Sequence, residues 1–253
     1  MSQEIRQFQE ALLATGGVEA SKLGVEGVSL GPREDRRASA IASCYSIGAH
    51  TVIFCDPELV PQLEVFGEAH PLADRACWLA WALDQGAHHL GSGVMRVRPG
   101  SASAASSTVA DVVTMSADEP VDVALIHAFL DGCDEEDIDE ADIDRDSLDP
   151  VIRATLGPDG AVSAFASALP WDALPSWWDI GVLTADGHRR KGLGMRCVSA
   201  VIAGIKEAGG IALYRHEAAN AGSAAVAARL GFAIATQLHA VRFGSASDAE
   251  ESS

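Results

Sequence analysis

The stretch that decides the fold is Arg189-Arg190-Lys191-Gly192-Leu193-Gly194, which runs directly into an amphipathic segment. Two glycines at this spacing allow the backbone to approach a ligand without a steric clash from Cβ atoms. Apolar residues then recur at helical spacing as far as Ile205, so the pattern predicts a helix that begins inside the motif. The first turn of a helix presents unpaired N–H groups and a partial positive charge, which suit a pyrophosphate. The motif therefore predicts an anion site, while a tight turn flanked by solvated basic residues is the alternative.

The segments around the motif are needed to choose between an anion site and a tight turn, because the motif matches no complete nucleotide-binding fingerprint. It lacks the Gly-Lys-Ser/Thr of a Walker loop and the full Gly-x-Gly-x-x-Gly of a dinucleotide site. Upstream, residues 151–156 and 161–169 are predicted strands joined by the turn signal Gly157-Pro158-Asp159-Gly160. A Pro-containing connection, 170–175, separates them from a third predicted strand, 177–184, which leads into the glycine motif.

The pattern downstream of the motif alternates between helix and strand. Gly209-Gly210 ends the first helix, and residues 211–215 are a short apolar strand. An Ala-rich helix then begins at Asn220 and ends at Leu230-Gly231-Phe232, and a last strand covers 233–243. The predicted order is strand, strand, strand, glycine loop, helix, strand, helix, strand.

With this order, the sequence resembles the GNAT superfamily of acetyl-coenzyme A-dependent N-acetyltransferases. The resemblance is best over residues 151–243. It is carried by Arg189-x-x-Gly192-x-Gly194, and by Asn220-x-x-Ser223 with Arg229-Leu230-Gly231-Phe232. It implies an α+β fold, a three-layer α/β/α sandwich with a central mixed, mostly antiparallel sheet and flanking helices. The implied activity is transfer of an acetyl group from acetyl-coenzyme A to a primary amine, which attacks directly in a ternary complex.

The predicted domains are a divergent amino-terminal α/β subdomain with a linker (1–108), the acetyltransferase domain (109–243) and a disordered tail (244–253). The boundary rests on the Gly/Ser/Ala-rich stretch 99–108. In the amino-terminal part, 3–13 is a predicted helix and 50–55 a buried strand. Some members of the family carry such an additional half, which packs on the catalytic core or mediates dimers, so a homodimer is compatible with the resemblance.

The resemblance also implies a coenzyme site. Amides after Arg189 would hold the pyrophosphate, a strand segment would bond the pantetheine arm through its backbone, and Asn220 and Ser223 would contact the coenzyme from the other side. Helix capping is an alternative role for Asn220 and Ser223, and the two roles can coexist. The implied residues are Val182, Leu183, Thr184, Arg189, Arg190, Lys191, Gly192, Leu193, Gly194, Met195, Asn220 and Ser223.

Proton transfer is the part of the chemistry that the sequence leaves open. Many members of the family carry a tyrosine in the second helix that protonates the departing thiolate, and here that position is Ala227. An amine must also lose a proton, and Asp179, His216 and Glu217 are the nearest candidate bases, although ordinary structural roles suit each of them. A coenzyme-binding or regulatory protein without turnover is therefore the alternative function, and a scaffold protein is a third.

Charge favours a cationic acceptor and argues against nucleic acid as a partner. The chain has 36 acidic and 18 basic residues, a net charge of −18. Eleven of the acids lie between Asp131 and Asp149, which is either a solvated face or a negative rim that attracts an amine. A calcium loop at Asp142 is not predicted, because Ser147 stands at its turn position and Arg153 at its closing ligand position.

Cysteine usage and hydropathy predict a cytoplasmic protein without a metal or a membrane contact. The odd set Cys44, Cys55, Cys77, Cys133 and Cys197 has no metal-binding or redox spacing. No signal peptide precedes residue 30, and no run of 18 apolar residues occurs.

Overall fold

The computed structural model describes residues 1–100, 102 and 111–244. Within these residues the chain forms seven α-helices and ten β-strands. The helices are α1 (Gln3–Thr15), α2 (Val60–Ala69), α3 (Arg75–Asp84), α4 (Pro120–Leu130), α5 (Glu135–Glu140), α6 (Leu193–Glu207) and α7 (Ala221–Arg229). The strands are β1 (Gly27–Pro32), β2 (Ile41–Ile47), β3 (His50–Cys55), β4 (His88–Val97), β5 (Val112–Met115), β6 (Val151–Leu156), β7 (Val162–Trp171), β8 (Leu174–Thr184), β9 (Ile211–Glu217) and β10 (Ala233–Arg242).

The contacts divide these elements into two compact units. Of the described residues, unit 1 contains Met1–Met95, Glu217–Ala219 and 234–244, and unit 2 contains those of Arg96–His216 and Asn220–Ala233. The predicted linker and tail fall largely on residues 101, 103–110 and 245–253, outside the described residues. The predicted domain over 109–243 stays a prediction. Strand β10, at the end of that range, groups with unit 1 by its contacts.

Unit 2 is a sheet covered by helices on both faces. Its strands follow the order β9-β8-β7-β6-β5, with β8 and β9 parallel and the other pairs antiparallel. On one face, α6 buries Val198, Val201 and Ile205 against small side chains of β7 such as Ala166. Each such aliphatic side chain contributes about 1.5–3 kcal/mol when it is fully buried.

The opposite face of this sheet packs against the two preceding helices. Ile126 and Leu130 of α4 and Ile138 of α5 share a core with Phe165 and Leu183. Side chains alternate between the faces because successive strand residues point to opposite sides. The predicted three-layer α+β architecture with a mixed, mostly antiparallel sheet is confirmed.

The strands of unit 1 follow the order β1-β3-β2-β10-β4, in which β1 and β3 are parallel. Strand β3 is buried along its whole length, as the sequence predicts for 50–55. Leu63 and Phe66 of α2 and Trp78 of α3 pack against Ile53. Unit 1 therefore has its own core, which also includes Val241 and Phe243, and the predicted amino-terminal subdomain 1–108 stays a prediction.

One predicted connection is wrong. The sequence predicts a connection over 170–175, but β7 and β8 run through both of its prolines and form a hairpin. Pro170 pairs with Trp178 next to a register shift, where a strand tolerates a residue that cannot donate a hydrogen bond. None of the helices in the described part of the chain has the length and apolarity that a membrane span requires.

Candidate active site

A cavity of about 410 Å³ lies where strands β8 and β9 of unit 2 separate. The two strands pair only from Trp177 to Asp179 with Ile211 to Leu213. Past these residues the described structure shows no ladder pair between them, although both strands continue. Paired strands lie about 4.7–4.9 Å apart, so loss of pairing opens space between their carboxyl-terminal halves. The start of α6, helix α7 and the end of α5 complete the walls.

The glycine motif forms the beginning of α6 at one end of this cavity. Gly192 caps the helix with φ 76°, in the left-handed region that favours glycine. Arg190, two residues earlier, also has a positive φ of 63°. Among the described residues, the amides of Leu193, Gly194 and Met195 meet no protein acceptor, and the first such bond joins Arg196 N–H to Gly192 O at 3.2 Å. Unpaired amides at a helix start form an anion-binding concavity.

Gly194 brings the first turn of the helix close to β8. A Cβ at this position would lie 2.8 Å from Thr184 Oγ1 and 3.2 Å from Val182 Cγ2. Any side chain here would push the helix away from the strand. The second glycine of the motif is therefore needed for the approach of α6 to β8, and the predicted approach of the backbone to a ligand stays a prediction.

All of the predicted coenzyme residues except Lys191 line the cavity. The Lys191 ammonium donates instead to Gly187 O at 2.8 Å. Arg189 lines the cavity with its charge already engaged, because its guanidinium pairs with Asp137 at 2.5 Å and with Asp186 at 2.9 Å. The hydrogen bond to Asp137 raises the pKa of Arg189.

Asn220 has one of the two roles that its sequence context allows, helix capping, and its contact with the coenzyme stays a prediction. Its Oδ1 accepts the Ser223 N–H at 2.8 Å and thereby caps α7. Its Nδ2 donates to both carboxylate oxygens of Glu140, at 2.8 and 2.9 Å. All three residues line the cavity, so this polar cluster joins α7 to α5 across one wall.

Of the three candidate bases, only His216 lines the cavity. Its Nε2 accepts a hydrogen bond from Arg96 Nε at 3.0 Å, so that nitrogen is not free to take a proton. Asp179 is buried, and its carboxylate pairs with Arg215. Burial raises the pKa of Asp179 and Arg215 opposes that rise. Glu217 is exposed at the end of β9 and groups with unit 1.

Sequence reasoning did not assign Tyr214, Asp137 or Glu140 to the site, although all three line the cavity. Tyr214 alternates with Arg215 on β9, and the strand pattern alone does not say which face the cavity occupies. Asp137 and Glu140 stand three residues apart, the spacing that places two side chains on one face of a helix. That spacing is the signal in the sequence that could have placed Asp137 and Glu140 on the same side of a helix. Among the described residues, no cluster of three His, Cys, Asp or Glu side chains could hold a metal ion.

The chain is similar to known proteins in part of its sequence and in its fold. Residues 180–241 match a family model described as FR47-like protein. The fold is similar to that of an acetyltransferase of the GNAT family from Colwellia psychrerythraea, with 13% identity, coverage of 95% of this chain and 96% of that chain, and a TM-score of 0.51. It is also similar to a GCN5-related N-acetyltransferase from Sphaerobacter thermophilus, with 12% identity, coverage of 76% and 71%, and a TM-score of 0.51. No curated protein matches the sequence.

The match to the family model includes the glycine motif and the helices α6 and α7. The match and the similarity of fold agree with the resemblance that the sequence predicts. The fold of the chain is similar to that of GNAT acetyltransferases.

Proposed function

We propose that this protein is an N-acetyltransferase that moves an acetyl group from acetyl-coenzyme A to a primary amine by direct attack in a ternary complex. The observation that carries the proposal is the set of unpaired amides from Leu193 to Met195 at the end of a cavity between two separating parallel strands. The match of residues 180–241 to the FR47-like family model and the similarity of the fold to acetyltransferases support the same class of reaction.

The residues of this end of the cavity fit a coenzyme diphosphate. The amides of the first turn of α6 supply directed donors, and each hydrogen bond to a charged group contributes about 1.5–3 kcal/mol. The helix dipole adds about 0.3–1 kcal/mol. Arg190 places a further positive charge at the cavity wall. Gly192 and Gly194 leave room for the phosphates because neither carries a Cβ.

The backbone of Val182, Leu183 and Thr184 would bond the pantetheine arm, because this part of β8 has no strand partner on the side of the cavity. Acetyl-coenzyme A supplies the activated acyl group when it is bound. A backbone N–H of the same segment would stabilise the negative charge that develops on the carbonyl oxygen during attack. These donors are fixed by the sheet, so they need no reorganisation during the reaction.

The excess of acidic residues supports a cationic amine as the acceptor. Long-range attraction of a cation raises the rate of encounter without selecting one amine among many. The amine has to be neutral when it attacks, so a group must take its proton. Asp179, His216 and Glu217 stay predictions for this role.

Titration calorimetry with acetyl-coenzyme A, followed by a free-thiol assay over a panel of amines, tests the proposal. We expect binding and thiol release that depends on the amine. Binding without release on every amine would favour a coenzyme-binding or regulatory protein, the alternative that Ala227 supports because it stands where many relatives have a tyrosine. Absence of coenzyme binding would reject both functions.

A further inference from the structure

Unit 1 carries a cluster of imidazole and hydroxyl side chains that are not part of the coenzyme cavity. Ser92 of β4 lies between two histidines, with its Oγ 2.6 Å from His239 Nδ1 and 3.2 Å from His89 Nε2. The centroids of the two imidazole rings are 5.6 Å apart. Since a hydroxyl has one proton, it donates to one imidazole and accepts a hydrogen bond from the other. Two imidazoles and a hydroxyl therefore meet on the neighbouring strands β4 and β10.

Arg75, the first residue of α3, brings a guanidinium to the same cluster. Its Nη2 lies 3.5 Å from Gln237 Oε1, which is the outer limit of a hydrogen bond. Gln237 and His239 are two residues apart on β10, so their side chains lie on the same face of the sheet. The Nε of Arg75 is buried and meets no acceptor among the described residues. A buried donor of this kind is rare and points to a ligand that completes the hydrogen bond.

The basic side chains of the cluster have no carboxylate as a contact partner. None of the ion pairs in the described part of the chain includes Arg75, His89 or His239. Burial lowers the pKa of His239, and the charges of Arg75 and His89 lower it further. Charges of one sign that lie together disfavour each other, and this chain has twice as many acids as bases with which to pair them. The arrangement therefore favours an external anion as their partner.

The titratable groups beside the cluster are two exposed carboxylates and one buried thiol. Asp74 is exposed and caps α3 with its carboxylate. Glu217 is exposed and precedes the residue whose amide donates to Ser92 O at 2.8 Å. Cys44 pairs with His239 between β2 and β10, and burial raises the pKa of its thiol, so the thiol stays neutral. Exposed carboxylates are screened by water and salt, so none of the three groups neutralises the guanidinium as a contact ion pair would.

We propose that Arg75, His89, Ser92 and His239 form a binding site in unit 1 for a phosphate group, either the free ion or a phosphomonoester. The planar guanidinium donates two parallel hydrogen bonds to phosphate oxygens. The imidazoles and the hydroxyl donate to the remaining oxygens. A phosphate group carries a charge of about −1.5 to −2 at pH 7, which offsets the repulsion between the basic side chains. None of the four residues lines the coenzyme cavity, so this site does not rest on the proposed function.

Nuclear magnetic resonance of the His239 ring tests the site where the phosphate would bind. The Cε1 proton of His239 is assigned by its loss in His239→Gln and is followed between about pH 5 and 8. Inorganic phosphate is the probe, and chloride at the same ionic strength is the reference. We expect saturating phosphate to raise the pKa of His239 by about 0.5–1 unit, because a bound anion stabilises the imidazolium. Phosphate that binds at the start of α6 does not contact this ring, so the measurement reports the proposed site alone.

Arg75→Gln separates two effects of the guanidinium. Without phosphate, the pKa of His239 should rise, since one repelling charge is gone. With phosphate, the affinity measured from the same resonance should fall by about tenfold or more, because the bidentate donor is lost. Arg6→Gln, which removes an exposed arginine of α1, is the matched control and should keep the response of the wild type.

His89→Gln repeats the test at an exposed position, so it decides the matter if Arg75→Gln does not fold. Its affinity for phosphate should fall by about threefold or more. Methyl phosphate is the second probe: equal or tighter binding assigns the site to a phosphomonoester, and a response to inorganic phosphate alone assigns it to the free ion. A pKa of His239 that phosphate leaves unchanged, or an unchanged affinity in the folded variants, would overturn the assignment.

Discussion

The two ends of the cavity are built from different parts of the polypeptide. At the α6 end, main-chain amides and two missing Cβ atoms form the binding surface. At the β9 end, the lining residues include Tyr214, Arg215 and His216. A site made of backbone depends on the shape of the chain and tolerates changes in most nearby side chains. A site that depends on side chains can lose its chemistry with a single substitution.

The largest effect at the backbone end is expected from Gly192→Glu. A side chain at φ 76° is strained, and a carboxylate beside the phosphates repels them. We expect coenzyme affinity to fall by about 100-fold or more, with the fold retained, as measured by calorimetry and circular dichroism. Gly187→Glu is the matched control, because it adds the same charge in the same segment but outside the cavity lining. An unchanged affinity in the Gly192 variant would contradict the placement of the diphosphate.

The buried carboxyl of Asp149 makes the free energy of unfolding depend on pH. It is 8% exposed, and burial, partly offset by Ser167, raises the pKa of its carboxyl to about 6. The folded protein therefore binds this proton more tightly than the unfolded chain, so the stability that it contributes is present below about pH 4 and is lost as pH rises through about 6. We expect Asp149→Asn to raise the free energy of unfolding by roughly 2–3 kcal/mol at pH 7.5 and by little at pH 4.

Urea unfolding at several pH values measures this difference. Asp172→Asn removes an exposed carboxyl of the β7–β8 hairpin and serves as the control, with no gain expected at either pH. A gain for Asp149→Asn that is the same at both pH values would show that the carboxyl does not titrate in this range.

Gly194→Ala tests whether the close approach of helix and strand matters. The added Cβ would lie 2.8 Å from Thr184 Oγ1, so the first turn of α6 has to shift by a few tenths of an ångström. We expect coenzyme binding to weaken by about tenfold. The double variant Thr184→Ala/Gly194→Ala should recover most of the affinity, because the clashing oxygen is gone. If the double variant binds no better than Gly194→Ala, steric crowding is not the cause.

The smallest effect is expected from Asp137→Asn. The Asp137 carboxylate holds the Arg189 guanidinium, and exposed ion pairs of this kind contribute only about 0–1 kcal/mol. Its removal frees a positive charge at the cavity, so coenzyme affinity should rise by about two- to fivefold at low salt and less at high salt. Asp139→Asn, on the same helix but outside the cavity lining, is the control. Weaker binding in Asp137→Asn would show that the pair organises the site.

The sequence predicts the α6 end of the cavity well because its information is local. Gly192 and Gly194 lie where a strand is followed by a strongly amphipathic helix. Their spacing by itself predicts a close approach of the backbone at the start of that helix. Helix α4 was not predicted, since its apolar residues are not confined to one face and Val121 is 72% exposed. Asp137 and Glu140 meet partners 52 and 80 residues away, and no local pattern reports such contacts.

The backbone conformation of Arg190 has a consequence for any attempt to raise the thermal stability of this protein. A non-glycine residue at φ 63° carries a conformational cost of about 1–2 kcal/mol, which glycine would remove. A selection for heat resistance alone would therefore favour glycine at this position and, in the same step, would remove a guanidinium from the cavity wall. Directed evolution of this chain therefore has to select for ligand binding as well as for thermal stability. Without the selection for binding, the first stabilising substitution is expected to lower the affinity for the ligand.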